Sequence, residues 1–138
     1  MRTKIMVAAA IAICIGAWAQ APVSSQTRVI EVLADKDSRY KIAGEKTPEI
    51  SVKAGERVLL RITARKGKSH NRDGSIHGFS LLRARDRLKV PDWDLLLKPG
   101  TQEFAMTAPQ EPGDYVVVCT VICSEDHEGM FMKFVVTP

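Results

Sequence analysis

The chain has 138 residues, with 20 Lys and Arg against 16 Asp and Glu and a formal net charge of +4. That length builds one domain with room for a real core. No Lys/Arg run is interleaved with aromatics, and there is no nucleic-acid motif, no internal repeat and no low-complexity tract, so the basic balance does not point to nucleic acid.

The first 21 residues read as a secretory signal peptide. Arg2 and Lys4 make a positive start, Ile5 to Ala19 is uncharged and mostly apolar, and Ala17-Trp18-Ala19 or Ala19-Gln20-Ala21 gives a small-x-small cleavage site. As an uncleaved helix the apolar stretch would reach about 22 Å, short of a bilayer core of about 30 Å. Cleavage would also take Arg2 and Lys4 from the positive balance. Residues 22–27 are expected to be a mobile lead-in, and 28–138 the domain. An exported, periplasmic location follows from this reading.

From there the apolar residues alternate. Ile50 and Val52 alternate with Ser51 and Lys53, and Val58, Leu60 and Ile62 with Arg57, Arg61 and Thr63, Leu59 being the exception. Tyr115, Val117 and Cys119 share one face, as do Met130, Met132, Phe134 and Val136. Period two with β-branched enrichment means strands, expected near 28–34, 38–42, 48–53, 56–64, 76–82, 101–107, 113–119 and 130–137. The breaks between them carry turn chemistry: Ala54-Gly55-Glu56, Arg72-Asp73-Gly74, Lys98-Pro99-Gly100 and Glu111-Pro112-Gly113-Asp114. Segment 84–97 shows no clear period and is expected to hold a short helix or an irregular excursion, with Trp93 covering core rather than serving as a surface point for electrons to come in. Seven or eight short strands predict an all-β Greek-key β-sandwich.

Charge is uneven. Residues 61–89 hold nine Lys/Arg against two Asp/Glu, and 100–138 hold one Lys against six Asp/Glu. Solvated loop faces account for this; the sharper reading is a sign-asymmetric docking surface.

The densest chemistry lies in Cys119-Thr-Val-Ile-Cys123-Ser-Glu-Asp-His127-Glu-Gly-Met130. Two thiols, an imidazole and a thioether make a soft donor set suited to copper. Cys119 ends one strand, Met130 begins the next, and a tight loop pinned by two paired strands can wrap a metal. Three other readings compete. Cys119 and Cys123 could form a disulfide, the usual fate of two exported cysteines. A blue-copper site could use Cys123, His127, Met130 and an upstream His, leaving Cys119 as a spare thiol. Zinc could take two Cys and two His, but gains nothing from the Met at fixed spacing. One more nitrogen ligand is expected, and His77, at the start of a strand and followed by Gly78-Phe79, is favoured over His70, in a loop rich in Lys, Arg, Gly and Asn. Met132 reads as a core residue, Met106 has no positional support as a ligand, and Glu125, Asp126 and Glu128 read as solvated loop charge.

The loop pattern C-x3-C-x3-H-x2-M with an upstream His shortly followed by Phe resembles the CuA domain of cytochrome c oxidase subunit II and nitrous oxide reductase, which are cupredoxins. Residues 47–56 (Thr-Pro-Glu-Ile-Ser-Val-Lys-Ala-Gly-Glu) resemble the cupredoxin edge segment before the ligand His. The resemblance implies a binuclear centre of two copper ions. Cys119 and Cys123 would bridge both metals, His77 and Met130 would complete one, and His127 and the backbone carbonyl of Val121 would complete the other. The chain departs from the family at Val121, often a larger polar residue, and at Ser124, commonly Gly; the Val121 ligand is a main-chain group. The implied function is that of an exported electron carrier rather than an enzyme, with a redox partner such as a c-type cytochrome or a terminal oxidase. The alternatives are the copper subunit that takes electrons into a membrane terminal oxidase, and a periplasmic copper-delivery or storage protein.

Overall fold

The computed structural model describes residues 26–68, 71–121 and 127–138, His127 by its backbone alone. Among them are nine strands: β1 (Arg28–Ala34), β2 (Tyr40–Lys41), β3 (Glu49–Lys53), β4 (Arg57–Ala64), β5 (His77–Arg83), β6 (Lys89–Leu97), β7 (Gly100–Thr107), β8 (Gly113–Val118) and β9 (Phe131–Thr137). A single 3-10 turn spans His127–Gly129. The expected leader and most of the lead-in lie outside the described residues. No helix among the described residues is long and apolar enough to cross a membrane.

The strands form two sheets, one ordered β2-β1-β4-β7 and the other β3-β9-β8-β5-β6. β1 runs parallel to β4, and β3 runs parallel to β9. The remaining pairs are antiparallel. The chain crosses between sheets after β2, β3, β4, β6 and β7, which makes a Greek-key sandwich rather than a simple meander.

The alternation reaches the core as expected. Val58, Leu60, Ile62 and Ala64 of β4 face Ile50 and Val52 of β3, Phe79 and Leu81 of β5, Val117 of β8 and Met132, Phe134 and Val136 of β9 across one buried layer. Burying an apolar side chain of this size contributes about 1.5–3 kcal/mol. Phe134 is the aromatic hub. Trp93 meets it edge-on at 5.3 Å and Tyr115 does so at 6.3 Å. The Tyr115 hydroxyl donates back to the Glu111 carbonyl at 2.7 Å, pinning the turn before β8. Burial, with the nearby Glu111 charge, holds this phenol above its ordinary pKa.

Two elements differ from expectation. The strand expected over 38–42 shortens to Tyr40–Lys41 because a turn precedes it: Ser38 takes a left-handed φ of 57°, and the Ser38 N–H donates to the Asp35 carbonyl at 3.1 Å. The stretch 84–97 holds no helix. A turn through Arg87, φ 62°, is followed by strand β6 at the edge of its sheet. Its alternation is spoiled by a register shift between Ser80 and Leu82 of β5 and by a left-handed Asp92, φ 66°. Pro91, which cannot donate to a ladder, is tolerated because the strand is an edge. Trp93 is buried within β6, and its indole N–H donates to the Thr107 carbonyl of β7 at 2.9 Å. It covers core, as its sequence context suggests, and offers no surface for an electron partner.

Candidate metal centre

β9, β8 and β5 are neighbours in one sheet, and three donor side chains lie at the same end of them. His77 opens β5, Cys119 follows the last residue of β8, and Met130 precedes the first residue of β9. Cys119 and Met130 continue the β8–β9 ladder as a cross-strand pair, with the Cys119 N–H donating to the Met130 carbonyl at 3.2 Å. All three side chains point into the sandwich, with relative exposures of 0 % for His77, 7 % for Cys119 and 1 % for Met130. The inward phase that packs Tyr115, Val117, Met132 and Phe134 is the same phase that turns Cys119 and Met130 inward.

The His77 ring is oriented from the opposite sheet. Its Nε2 lies 2.9 Å from the carbonyl of Arg65, the residue just after β4. A carbonyl only accepts, so Nε2 carries a proton and donates to it. That bond fixes the orientation of the ring.

Cys119 is held by the main chain. Its sulfur accepts from the Gly78 N–H at 3.3 Å, and its thiol donates to the Val121 carbonyl at 3.2 Å. The sulfur and the Val121 oxygen, both in the expected ligand set, therefore converge. Close approach depends on Gly78. A Cβ there would lie 2.9 Å from the Thr120 backbone nitrogen and 3.0 Å from its Oγ1, a separation that side-chain carbons do not tolerate.

Beside this lies a polar network on the outer face of the same sheet. The Ser80 hydroxyl donates to Asp94 of β6 and lies 2.9 Å from the Thr120 hydroxyl. Lys89 reaches Asp94 at 2.8 Å. The Lys89 ammonium and then the Ser80 hydroxyl hold the Asp94 carboxyl below its ordinary pKa, so it stays ionised and keeps Thr120 anchored.

Of the expected ligands, the structure thus brings together His77, Cys119, Met130 and the Val121 carbonyl. The His127 backbone opens the 3-10 turn immediately before Met130. The His127 side chain, Cys123 and the rival His70 lie outside the described residues. Among the described residues no three His, Cys, Asp or Glu side chains form a group that could hold a metal, since the described donors are one imidazole, one thiol, one thioether and one carbonyl. That set of buried nitrogen and sulfur groups suits copper. Met132 is buried in the core, and Met106 lies on β7 in the other sheet. Exposed Arg65, Lys66, Lys68 and Arg72 place the basic loop at this same end.

Gly78, Thr120, Ser80, Asp94 and the Arg65 carbonyl were not among the expected site residues. Gly78 carried a readable signal, because a glycine inside a strand pattern marks a close backbone approach. The others are joined by tertiary contacts that no local pattern announces.

No protein-family model matches the chain, and no curated protein matches it. Solved structures do. Auracyanin A, a "blue" copper protein from the green thermophilic photosynthetic bacterium Chloroflexus aurantiacus, aligns with a TM-score of 0.55 at 20% identity, over 81% of this chain and 100% of that one. Auracyanin B aligns with a TM-score of 0.51 at 21% identity, over 80% and 89%. A chain of a heme-copper terminal oxidase dimer aligns with a TM-score of 0.53 at 18% identity, over 83% and 68%. The chain therefore has the cupredoxin fold.

Proposed function

We propose that this cupredoxin is an exported electron-transfer protein that holds a binuclear, CuA-type copper centre. The observation that carries the reading is the convergence of His77, Cys119, Met130 and the Val121 carbonyl at one end of three adjacent strands, Cys123 and His127 falling in the sequence that joins two of them. The donor chemistry fits copper, and Cys119 and Cys123 would bridge the two ions. His77 with Met130 would serve one ion, and His127 with the Val121 carbonyl the other.

Two coppers held there would supply a site able to share one electron, so that each metal–ligand bond would change little between oxidised and reduced states. The chain's own residues supply a fixed cage. Arg65 orients the His77 ring, Gly78 donates to the Cys119 sulfur, and the Ser80–Asp94 pair anchors Thr120. Each restraint limits rearrangement on electron transfer. With every donor committed to metal, no position is left for a substrate, which favours an electron carrier over an enzyme.

Metal analysis of the reconstituted protein tests this. Two coppers per chain are expected, with one or none in Cys119→Ser; a single copper in the unaltered protein would remove the binuclear reading. A second reading, the copper subunit that takes electrons into a membrane terminal oxidase, draws on the fold shared with the terminal-oxidase chain. In the first reading the mature protein lacks residues 1–21 and exchanges electrons with a partner such as a c-type cytochrome. Recovery with an intact N-terminus in a membrane complex would favour the second.

A further inference from the structure

We propose that Tyr40 is a positioning residue for Cys119, acting through Gly78 to fix the hydrogen bond that the Cys119 sulfur accepts. The paired residues of β5 and β8 run from Arg83 and Tyr115 to Ser80 and Val118. Two residues further along β5, Gly78 is still paired with Leu96 of β6 but lies beyond its ladder with β8. Its N–H donates to the Cys119 sulfur at 3.3 Å, and its carbonyl accepts from the Tyr40 hydroxyl.

The arrangement has a physical logic. Gly78 must be glycine, because a Cβ would collide with the Thr120 backbone. Glycine is also the residue least able to resist rotation of its own φ and ψ. The donor to the sulfur therefore belongs to the softest backbone position at the site, and a restraint has to come from elsewhere. Tyr40 provides it. Its ring is buried, 3 % exposed, and packs edge-on against Phe79 at 5.6 Å and 76°. A buried phenol needs a partner for its hydroxyl, and here the partner is the Gly78 carbonyl. Tyr40 lies on β2, in the opposite sheet from Gly78 and Cys119, so the bond ties the sulfur's donor to the whole sandwich.

A firm N–H donor withdraws electron density from a cysteine sulfur and thereby sets the potential of the metal that it binds. This consequence rests on the copper reading; the restraint on Gly78 does not. The test is therefore made on both forms of the full chain. In metal-free Tyr40→Phe, amide hydrogen exchange at Gly78 is expected to accelerate about five- to tenfold relative to Val117, the weight of one net hydrogen bond. Referring the rate to a core amide of the neighbouring strand divides out any global loss of stability. In copper-loaded Tyr40→Phe, the reduction potential is expected to fall and the sulfur-to-copper absorption bands to shift.

Should Tyr40→Phe fail to fold, fluorotyrosine at position 40 keeps the ring and strengthens the donor, and both readouts should move the opposite way. Equal acceleration at Gly78 and Val117 would overturn the proposal. An unchanged potential beside selective acceleration would overturn the tuning of the sulfur. Selective acceleration in a protein that binds no copper would uphold the restraint while removing the copper reading.

Discussion

Gly78 shows how one residue can serve fold and site together. It lets the Thr120–Val121 backbone approach β5, and it presents its N–H to the Cys119 sulfur. Gly78→Ala places a carbon 2.9 Å from a backbone nitrogen, which has no flexible side chain to give way. A loss of about 1–3 kcal/mol in denaturant unfolding is expected, as for other overpacked positions. The same displacement should weaken copper retention; wild-type stability would show that the loop yields freely. Met130 makes the opposite case. It is buried and would be one of the weaker donors of the proposed set, so Met130→Leu should keep shape and copper while shifting the reduction potential. Complete loss of copper in that variant would show that the thioether is essential for binding. The inward placement of Cys119 and Met130 could be read from sequence because each continues the alternation of its strand. Tyr40 could not, since its bond to Gly78 joins positions 38 residues apart and no period links them.

At the scale of elements, alternation was a sound guide to most strands. β1, β3, β4, β7, β8 and β9 lie within a residue or so of expectation, because period two reports burial of one face directly, and β5, found at His77–Arg83, lies within a residue of the expected 76–82. β6 was missed because Asp92 and the register shift against β5 break that period, leaving Trp93 buried between Asp92 and Asp94. Trp93 compensates for this irregular edge strand. Its indole N–H reaches the Thr107 carbonyl of β7 and so clips the edge strands of the two sheets together. Trp93→Phe should cost about 1–3 kcal/mol, from an unsatisfied carbonyl and lost contact with Phe134. Thermal unfolding measures it, and no change would mean that water replaces the clip. Between β1 and β2, buried Asp35 accepts from the Lys41 ammonium at 2.7 Å and the Lys36 N–H at 2.8 Å. Those bonds, with the Lys41 bond the strongest, hold its pKa below the ordinary value. A depressed carboxylate pKa stabilises the fold above the unfolded value of about 3.9, and that contribution is lost as pH falls through the folded value. Asp35→Asn should therefore flatten the decline in Tm below about pH 4; parallel profiles for the two proteins would contradict this.

For the whole molecule, the sandwich acts as a frame that brings residues far apart in sequence to one end. The Arg65 carbonyl and Tyr40 come from one sheet, and His77, Gly78, Cys119 and Met130 from the other or its connections. In the proposed centre, ligands and restraints would span both layers and be held by the cooperativity of the entire fold, which would suit a site that changes little as it gains and loses an electron. The fold class was legible from strand number and turn chemistry alone. The bracing of one sheet's ligands by the other was not, because it depends on which strands become neighbours. The most direct test of the account is the electron-spin-resonance spectrum of the oxidised, copper-loaded mature protein. The account predicts a hyperfine pattern from one unpaired electron shared by two copper nuclei. A pattern from a single copper nucleus would contradict it.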